Sequence, residues 1–137
     1  KNDVEYILFL RKGGEYRSPS PVQRALSMLT KDEMQCWMRS TWTDIKGEST
    51  RNGHPAPYPV SLAERLIKMF SFAGDIVLDP FAGTGTTALA SINTGRHSIS
   101  VDVEQKYLEH AHARLIDAVG LFRECGATRA KIIFNVT

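Results

Sequence analysis

The strongest constraint on the fold is a glycine-containing turn at residues 79–87 (DPFAGTGTT). It follows a short apolar run, residues 76–78, which predicts a buried strand ending at Asp79, and it leads into residues 86–93, which have a helical pattern. Gly83 and Gly85 allow positive φ angles and a close approach of the backbone to a ligand. The first N–H groups of a helix form an electropositive end. Because ligands of open α/β sheets bind at the carboxyl edge of the strands, this unit predicts a binding site.

Other segments have strand or helix patterns in alternation, which predicts an α/β fold with a parallel sheet. Predicted strands are residues 4–10, 98–102 and 131–136; predicted helices are residues 31–38, 62–70 and a long helix that ends before Gly120. Two capping boxes, Thr30 with Glu33 and Ser61 with Glu64, are expected to begin the first two helices. Phe70, Phe72 and Leu78 are expected in the core, and Trp37 and Trp42 are expected to pack rather than to stack on bases.

Composition narrows the class of protein. The chain has 137 residues, 42% hydrophobic and 23% charged, which fits one globular domain. A net charge of +2 excludes a histone-like protein, so nucleic-acid binding would need a local patch. Cys36 and Cys125 are too few and too far apart for a disulfide framework, which favours a reducing cytoplasm. No apolar run reaches membrane-spanning length, and the histidines show no metal-site spacing. The chain begins with Lys1 and reaches a strand-like run almost at once, so we expect a piece of something longer.

Three ligand classes compete for the glycine turn. A P-loop would need a lysine after Gly85, and Thr86 stands there. A dinucleotide fingerprint can be drawn through Gly83, Gly85 and Ala88, with Asp102 19 residues after Gly83 as the ribose-binding acid. That signal is weak alone. An acid at the end of the first strand suits a ligand with a free ammonium group, which NAD lacks.

The third class rests on a family resemblance. Residues 79–87 resemble motif I of the DNA amino-methyltransferases, which bind S-adenosylmethionine (SAM), and residues 100–104 (SVDVE) with Tyr107 resemble the segment that follows the next strand. Upstream, residues 54–59 (HPAPYP) resemble motif X, and residues 4–14 resemble a late strand of the catalytic half. This order of motifs is that of the β-type enzymes.

The resemblance implies a Rossmann-like SAM-dependent methyltransferase fold, a three-layer α/β sandwich that is partial because the catalytic half is missing. It implies residues 1–53 as the end of the catalytic half and a variable linker, and residues 54–137 as the SAM-binding subdomain. Val101 would lie beside the adenine with Val103. The implied cofactor-binding residues are Asp79, Pro80, Phe81, Ala82, Gly83, Thr84, Gly85, Thr86, Thr87, Asp102, Val103, Pro57, Tyr58, Pro59 and Ser61.

The resemblance also implies a function: methylation of the exocyclic amine of adenine (N6) or cytosine (N4) in duplex DNA, with the target base flipped out. The family carries an Asp/Asn/Ser-Pro-Pro-aromatic motif for this step, and no Pro-Pro occurs in the chain. We therefore expect no catalytic residue and no activity from this chain alone, a complementing half in cis or in trans, and a possible homodimer in a bacterial or phage-like cytoplasm. An NAD(P)-binding oxidoreductase fragment and a non-catalytic remnant that binds DNA or a partner are the alternatives.

Overall fold

The computed structural model describes residues 4–47 and 57–124, with side chains described as far as residue 118. The elements in these ranges are helices α1 (Pro21–Leu26), α2 (Lys31–Trp37), α3 (Val60–Phe70), α4 (Thr86–Asn93) and α5 (Gln105–Glu124), and strands β1 (Ile76–Asp79) and β2 (His97–Ser100). No helix within them is long and apolar enough to cross a membrane.

Strands β1 and β2 form a parallel pair, in register from Ile76 opposite His97 to Asp79 opposite Ser100. Helix α4 connects them and packs on both strands and on α3. The predicted strand–turn–helix unit is therefore confirmed, and α4 has the predicted bounds. Strand β2 begins one residue before the predicted residues 98–102 and ends at Ser100, although the N–H of Val101 still donates to the carbonyl of Asp79 at 2.8 Å.

A small core joins α3, α4 and β1. Ala63 and Ile67 from α3 pack against Ala90 from α4, which is fully buried, and Val60 and Val77 close the cluster. Small side chains on α4 allow the two helices to approach closely. This packing covers one face of the β1–β2 pair and so fixes the strand that ends at the site.

The opposite face of the pair is uncovered within the described chain. Ile76 and Leu78 are 65% and 63% exposed, and Ile99 beside them is 49% exposed. Side chains alternate between the two faces of a strand, so burying Val77 turns its neighbours outward. The prediction that Leu78 lies in the core is therefore wrong. Phe70, at the end of α3, is also half exposed.

The first residues of α2 and α3 show which of the predicted capping boxes form. Thr30 and Glu33 form the predicted capping box at α2. The box predicted at Ser61 is wrong, because α3 begins at Val60 with Pro59 as its N-cap and no side-chain cap bond among the described residues. Glu64 instead accepts a hydrogen bond from the amide of Asn93 at 2.7 Å, which ties α3 to α4.

Three other predicted elements differ or lie outside the described residues. Residues 4–10 do not form a strand within the described chain, since no neighbouring strand there supplies a ladder. The ring of Phe9 stacks on that of Phe70, with the centroids 4.0 Å apart. Helix α5 continues past Gly120, because one glycine inside a helix costs only about 1 kcal/mol. The strand predicted at 131–136 lies outside the described residues.

A charged and aromatic cluster attaches the segment before α3 to that helix. Arg65 of α3 is buried and makes a bidentate ion pair with Asp44, with N–O distances of 3.1 and 2.6 Å. Its guanidinium lies 4.8 Å from the ring centroid of Trp42 and 5.4 Å from that of Trp37. The indole N–H of Trp42 donates to the carbonyl of Trp37 at 2.9 Å. Both tryptophans therefore pack, as predicted.

The ion pair between Glu33 and Lys68 predicts that the free energy of unfolding depends on pH. The Lys68 ammonium, followed by the backbone N–H of Thr30, lowers the pKa of the Glu33 carboxyl below its usual range. A lowered pKa in the folded state adds stability above the unfolded pKa, about 4.3, and this contribution is lost as the pH falls through the folded value. We expect Glu33→Gln to lose less stability than the wild type between pH 5 and 3, as measured by urea unfolding. The control is Asp32→Asn, one residue away. An equal loss of stability between pH 5 and 3 in the wild type and in Glu33→Gln would contradict the expectation.

Candidate cofactor-binding site

The glycine turn is held by backbone hydrogen bonds to the strand ends. The N–H of Ala82 donates to the carbonyl of Val101 at 2.9 Å, and the N–H of Gly85 donates to the carbonyl of Ala82 at 2.9 Å. Gly83 and Gly85 have φ angles of 50° and 78°, in the left-handed region that other residues rarely adopt. The turn therefore requires the glycines that the sequence predicts.

Gly85 has a second requirement, which is space. A Cβ at this position would lie 2.8 Å from the Cβ of Ala111 and 3.3 Å from its Cα. Ala111 belongs to α5 and is 1% exposed, in a buried stripe with Leu108 and Leu115. The turn and α5 thus approach closely at Gly85 and Ala111, where both residues must be small. The sequence pattern puts Ala111 on the apolar face of this helix, with Leu108 and Leu115, but does not predict its contact with the turn.

Asp79 lies at the end of β1 and bonds within the turn rather than capping α4. Its Oδ1 accepts a hydrogen bond from the N–H of Phe81 at 3.0 Å, and the hydroxyl of Tyr58 lies 3.5 Å from its Oδ2. The same hydroxyl is 2.6 Å from the hydroxyl oxygen of Thr87 in the first turn of α4. Desolvation of the phenol is the main cause that raises the pKa of Tyr58, so it stays neutral and keeps its proton. The structure therefore brings Tyr58, Asp79 and Thr87 together.

Asp102, beyond the end of β2, organises the other side of the turn. Its Oδ2 accepts from the N–H of Gly83 at 2.7 Å, and its Oδ1 accepts from the N–H of Glu104 at 2.9 Å. The predicted proximity of Asp102 to the glycine turn is seen directly.

Arg114 of α5 is a further residue at the turn that sequence reasoning missed. Its Nη1 donates to the carbonyl of Thr84 at 3.3 Å and lies 3.4 Å from the hydroxyl of Thr86. Thr86 is buried, so its side chain faces α5. Thr86 and Thr87, although adjacent, therefore face different parts of the site. The contact spans about 30 residues of sequence, and no local pattern announces it.

The remaining predicted residues divide into buried and exposed sets. Ala82 is buried in the turn, whereas Phe81 and Val103 are 85% and 98% exposed on its outer side. The other predicted residues that the structure describes lie before or at the start of α3, in the turn, or just after β2: Pro57, Pro59, Ser61, Pro80, Thr84 and Val101. His54 of the motif X resemblance lies outside the described residues.

Within the described ranges, no group of three or more His, Cys, Asp or Glu side chains is arranged to hold a metal ion. The site is therefore defined by two strand-end carboxylates, a glycine turn between them and the start of α4, with Tyr58 reaching in from the segment before α3. This arrangement suits an elongated ligand with an amine at one end and hydroxyl groups at the other.

Strand, glycine turn, helix and second strand-end acid define a Rossmann-like α/β cofactor-binding unit. The family profile described as DNA methylase, of the N6/N4 type, matches residues 1–113. The chain therefore belongs to the DNA methylase family.

Curated relatives agree with this assignment. The chain is 38% identical over 132 residues to the type II methyltransferase M.MthZI of Methanothermobacter thermautotrophicus, an alignment that covers 90% of the chain and 37% of the relative. It is 41% identical over 110 residues to the type II methyltransferase M.MjaI of Methanocaldococcus jannaschii, covering 75% and 35%. The chain thus spans little more than a third of the length of these relatives.

Solved structures confirm the fold class. TTHA0409 of Thermus thermophilus, assigned as a DNA modification methylase, is 46% identical, with a TM-score of 0.67, covering 76% of the chain and 40% of that protein. The same protein complexed with S-adenosyl-L-methionine is 44% identical at the same TM-score, covering 76% and 39%. The chain has the partial Rossmann-like α/β fold of these proteins. None of these comparisons supports the oxidoreductase alternative.

Proposed function

We propose that this chain is the SAM-binding part of a DNA methyltransferase that modifies the N6 amine of adenine or the N4 amine of cytosine. The observation that carries the proposal is the placement of Asp79 and Asp102 on either side of the glycine turn. Family membership supports it, as does the 44% identity to a protein whose structure contains SAM. When bound, SAM supplies the methyl group.

We propose a role for each part of the site. Asp79 and the backbone of residues 81–85 hold the methionine end of SAM. The side-chain carboxylate of Asp79 pairs with the ammonium group of SAM, and the electropositive start of α4 favours the carboxylate of SAM. Thr86 and Thr87 begin α4 at this end of the site, with Thr87 facing Tyr58 and Thr86 facing α5. Residues 57–61 close the pocket.

The adenosine end of SAM would bind the residues that follow β2. Asp102, whose carboxylate the N–H groups of Gly83 and Glu104 hold beside the glycine turn, accepts hydrogen bonds from the ribose hydroxyls. Val103, which is almost fully exposed, and Val101 offer apolar surface to the adenine ring. Methyl transfer would then be an in-line displacement in which catalysis is largely positional.

The acceptor amine needs groups that this sequence does not contain. No Pro-Pro occurs in the 137 residues, so we propose that the catalytic motif is supplied by another segment, in cis or in trans, and that flipped-out duplex DNA binds across both parts. The same absence supports the second candidate, a non-catalytic subunit that binds SAM, DNA or a partner without turnover. The uncovered face of β1 and β2 also fits pairing with a complementing chain or a second copy, which light scattering would report.

Titration of the purified chain with SAM by calorimetry, with NAD as control, tests the cofactor assignment. We expect saturable binding of SAM and none of NAD. We expect no transfer of radiolabelled methyl groups to duplex DNA by the chain alone. Binding of NAD in preference to SAM would contradict the cofactor assignment, and reproducible DNA-dependent transfer would contradict the need for a second segment.

A further inference from the structure

Tyr58 links two parts of the site that are far apart in sequence. It lies in the irregular segment 57–59 that precedes α3, and its hydroxyl is 2.6 Å from the hydroxyl of Thr87, 29 residues later, at the start of α4. The oxygen is also 3.5 Å from Oδ2 of Asp79. The ring is only about one-third exposed, at 37%.

Proton counting couples the directions of these hydrogen bonds. An ionised carboxylate only accepts, and a phenol has one proton. If Tyr58 donates to Asp79, then the hydroxyl of Thr87 must donate to the oxygen of Tyr58. The short Thr87–Tyr58 contact and the longer Tyr58–Asp79 contact then form one chain that ends on the carboxylate. All three side chains are oriented before a ligand arrives.

The Tyr58–Thr87 contact lies next to the start of α3. Pro59 is the N-cap of α3, and within the described chain no side chain caps that helix. The first bonds of the helix run from the N–H groups of Leu62 and Ala63 to the carbonyl of Pro59, at 3.0 and 3.4 Å. The hydroxyl of Tyr58, one residue before the cap, is therefore the side-chain anchor next to the uncapped end.

We propose that the Tyr58–Thr87 hydrogen bond is a latch that keeps segment 57–59 closed against α4 and so positions Thr87 and Asp79 for the cofactor. The latch is a property of the free chain, and its effect on affinity rests on the proposed binding of SAM. Tyr58 is thus a positioning residue. A latch that stays closed in the complex slows the departure of the ligand more than it changes its arrival.

Tyr58→Phe and Thr87→Val each remove one hydroxyl and keep the shape of the side chain. In the ligand-free chain, we expect faster amide hydrogen exchange at Leu62 and Ala63 in both variants and in the double variant. Tyr16→Phe is the matched control, since Tyr16 is 83% exposed and contacts Arg11 rather than the site, and its exchange at these amides should equal that of the wild type. Unchanged exchange in Tyr58→Phe overturns the latch.

Stopped-flow SAM binding gives the second measurement. We expect Tyr58→Phe to bind about three- to tenfold more weakly, mostly through a faster dissociation rate, which is the effect of one net hydrogen bond. Because the two hydroxyls act through one bond, the losses in the double variant should be less than additive. Additive losses, or tighter binding by Tyr58→Phe, overturn the positioning role. If the wild type does not bind SAM while the exchange result is as expected, the latch stands and the cofactor assignment fails.

Discussion

Gly85→Ala is expected to destabilise the chain by about 2 to 5 kcal/mol, the sum of left-handed strain at a non-glycine residue and overlap in a packed interior. The φ angle of Gly85 is 78°, and its new Cβ would lie 2.8 Å from the Cβ of Ala111. Neither neighbour can move away cheaply, because Ala111 is buried within α5 and the turn is bonded to the strand ends. Against a total stability of about 5 to 15 kcal/mol, this is a severe loss.

Gly74→Ala provides the matched control for that measurement. Gly74 has nearly the same φ angle, 79°, but no atom lies within 4 Å of an added Cβ. Its alanine variant should therefore bear only the conformational strain, about 1 to 2 kcal/mol. The difference between the two variants in chemical denaturation isolates the contact with α5. Equal losses of stability in the two variants would show that the contact with α5 does not add to the cost at Gly85.

Asp102→Ala should have the largest effect on ligand binding. The substitution leaves the N–H groups of Gly83 and Glu104 without their carboxylate acceptor and removes the proposed ribose contact. Hydrogen bonds to a charged group are worth about 1.5 to 3 kcal/mol, so we expect SAM affinity to fall about 10- to 150-fold in calorimetry. Asp117→Ala, at an exposed position on α5, should bind like the wild type.

Asp102→Asn separates the two roles of this side chain. Its amide oxygen can replace only one of the two carboxylate acceptors, so some loss of folding stability is expected even without ligand. A loss of affinity that exceeds the loss explained by partial unfolding would support the ribose contact. Wild-type affinity in both Asp102 variants would exclude Asp102 from the ligand site.

The elements that sequence reasoning predicted well are those whose signals are local. The bounds of α4 follow from the glycine turn before Thr86, and the capping box at Thr30 predicts the start of α2. A similar signal was overlooked at α1, where Ser20 caps the helix reciprocally with Gln23 and Pro21 stands at the first helical position. The proximity of Asp79 and Asp102 was also predictable, because parallel strands end at one edge.

The predictions that failed concern features that depend on tertiary contacts. Residues 4–10 have strand composition but no neighbouring strand in the described chain, and a strand is assigned only with a partner. Leu78 is apolar, yet its exposure depends on which sheet face is covered. Ala111 and Arg114 reach the turn because α5 folds back over it, which no local pattern contains. The assignment of ligand roles to individual side chains stays a prediction.

The sheet face that the described residues leave uncovered links association to ligand binding. Ile76, Leu78 and Ile99 belong to the two strands whose ends lead into Asp79 and Asp102. Anything that binds this face and orders the strands also orders the carboxylates beyond them. Binding of the partner and binding of SAM are then coupled. A partner that raises the affinity for SAM by some factor is itself bound more tightly, by the same factor, once SAM is present. Saturating ligand would thus be the condition under which a weak complementing chain is easiest to capture.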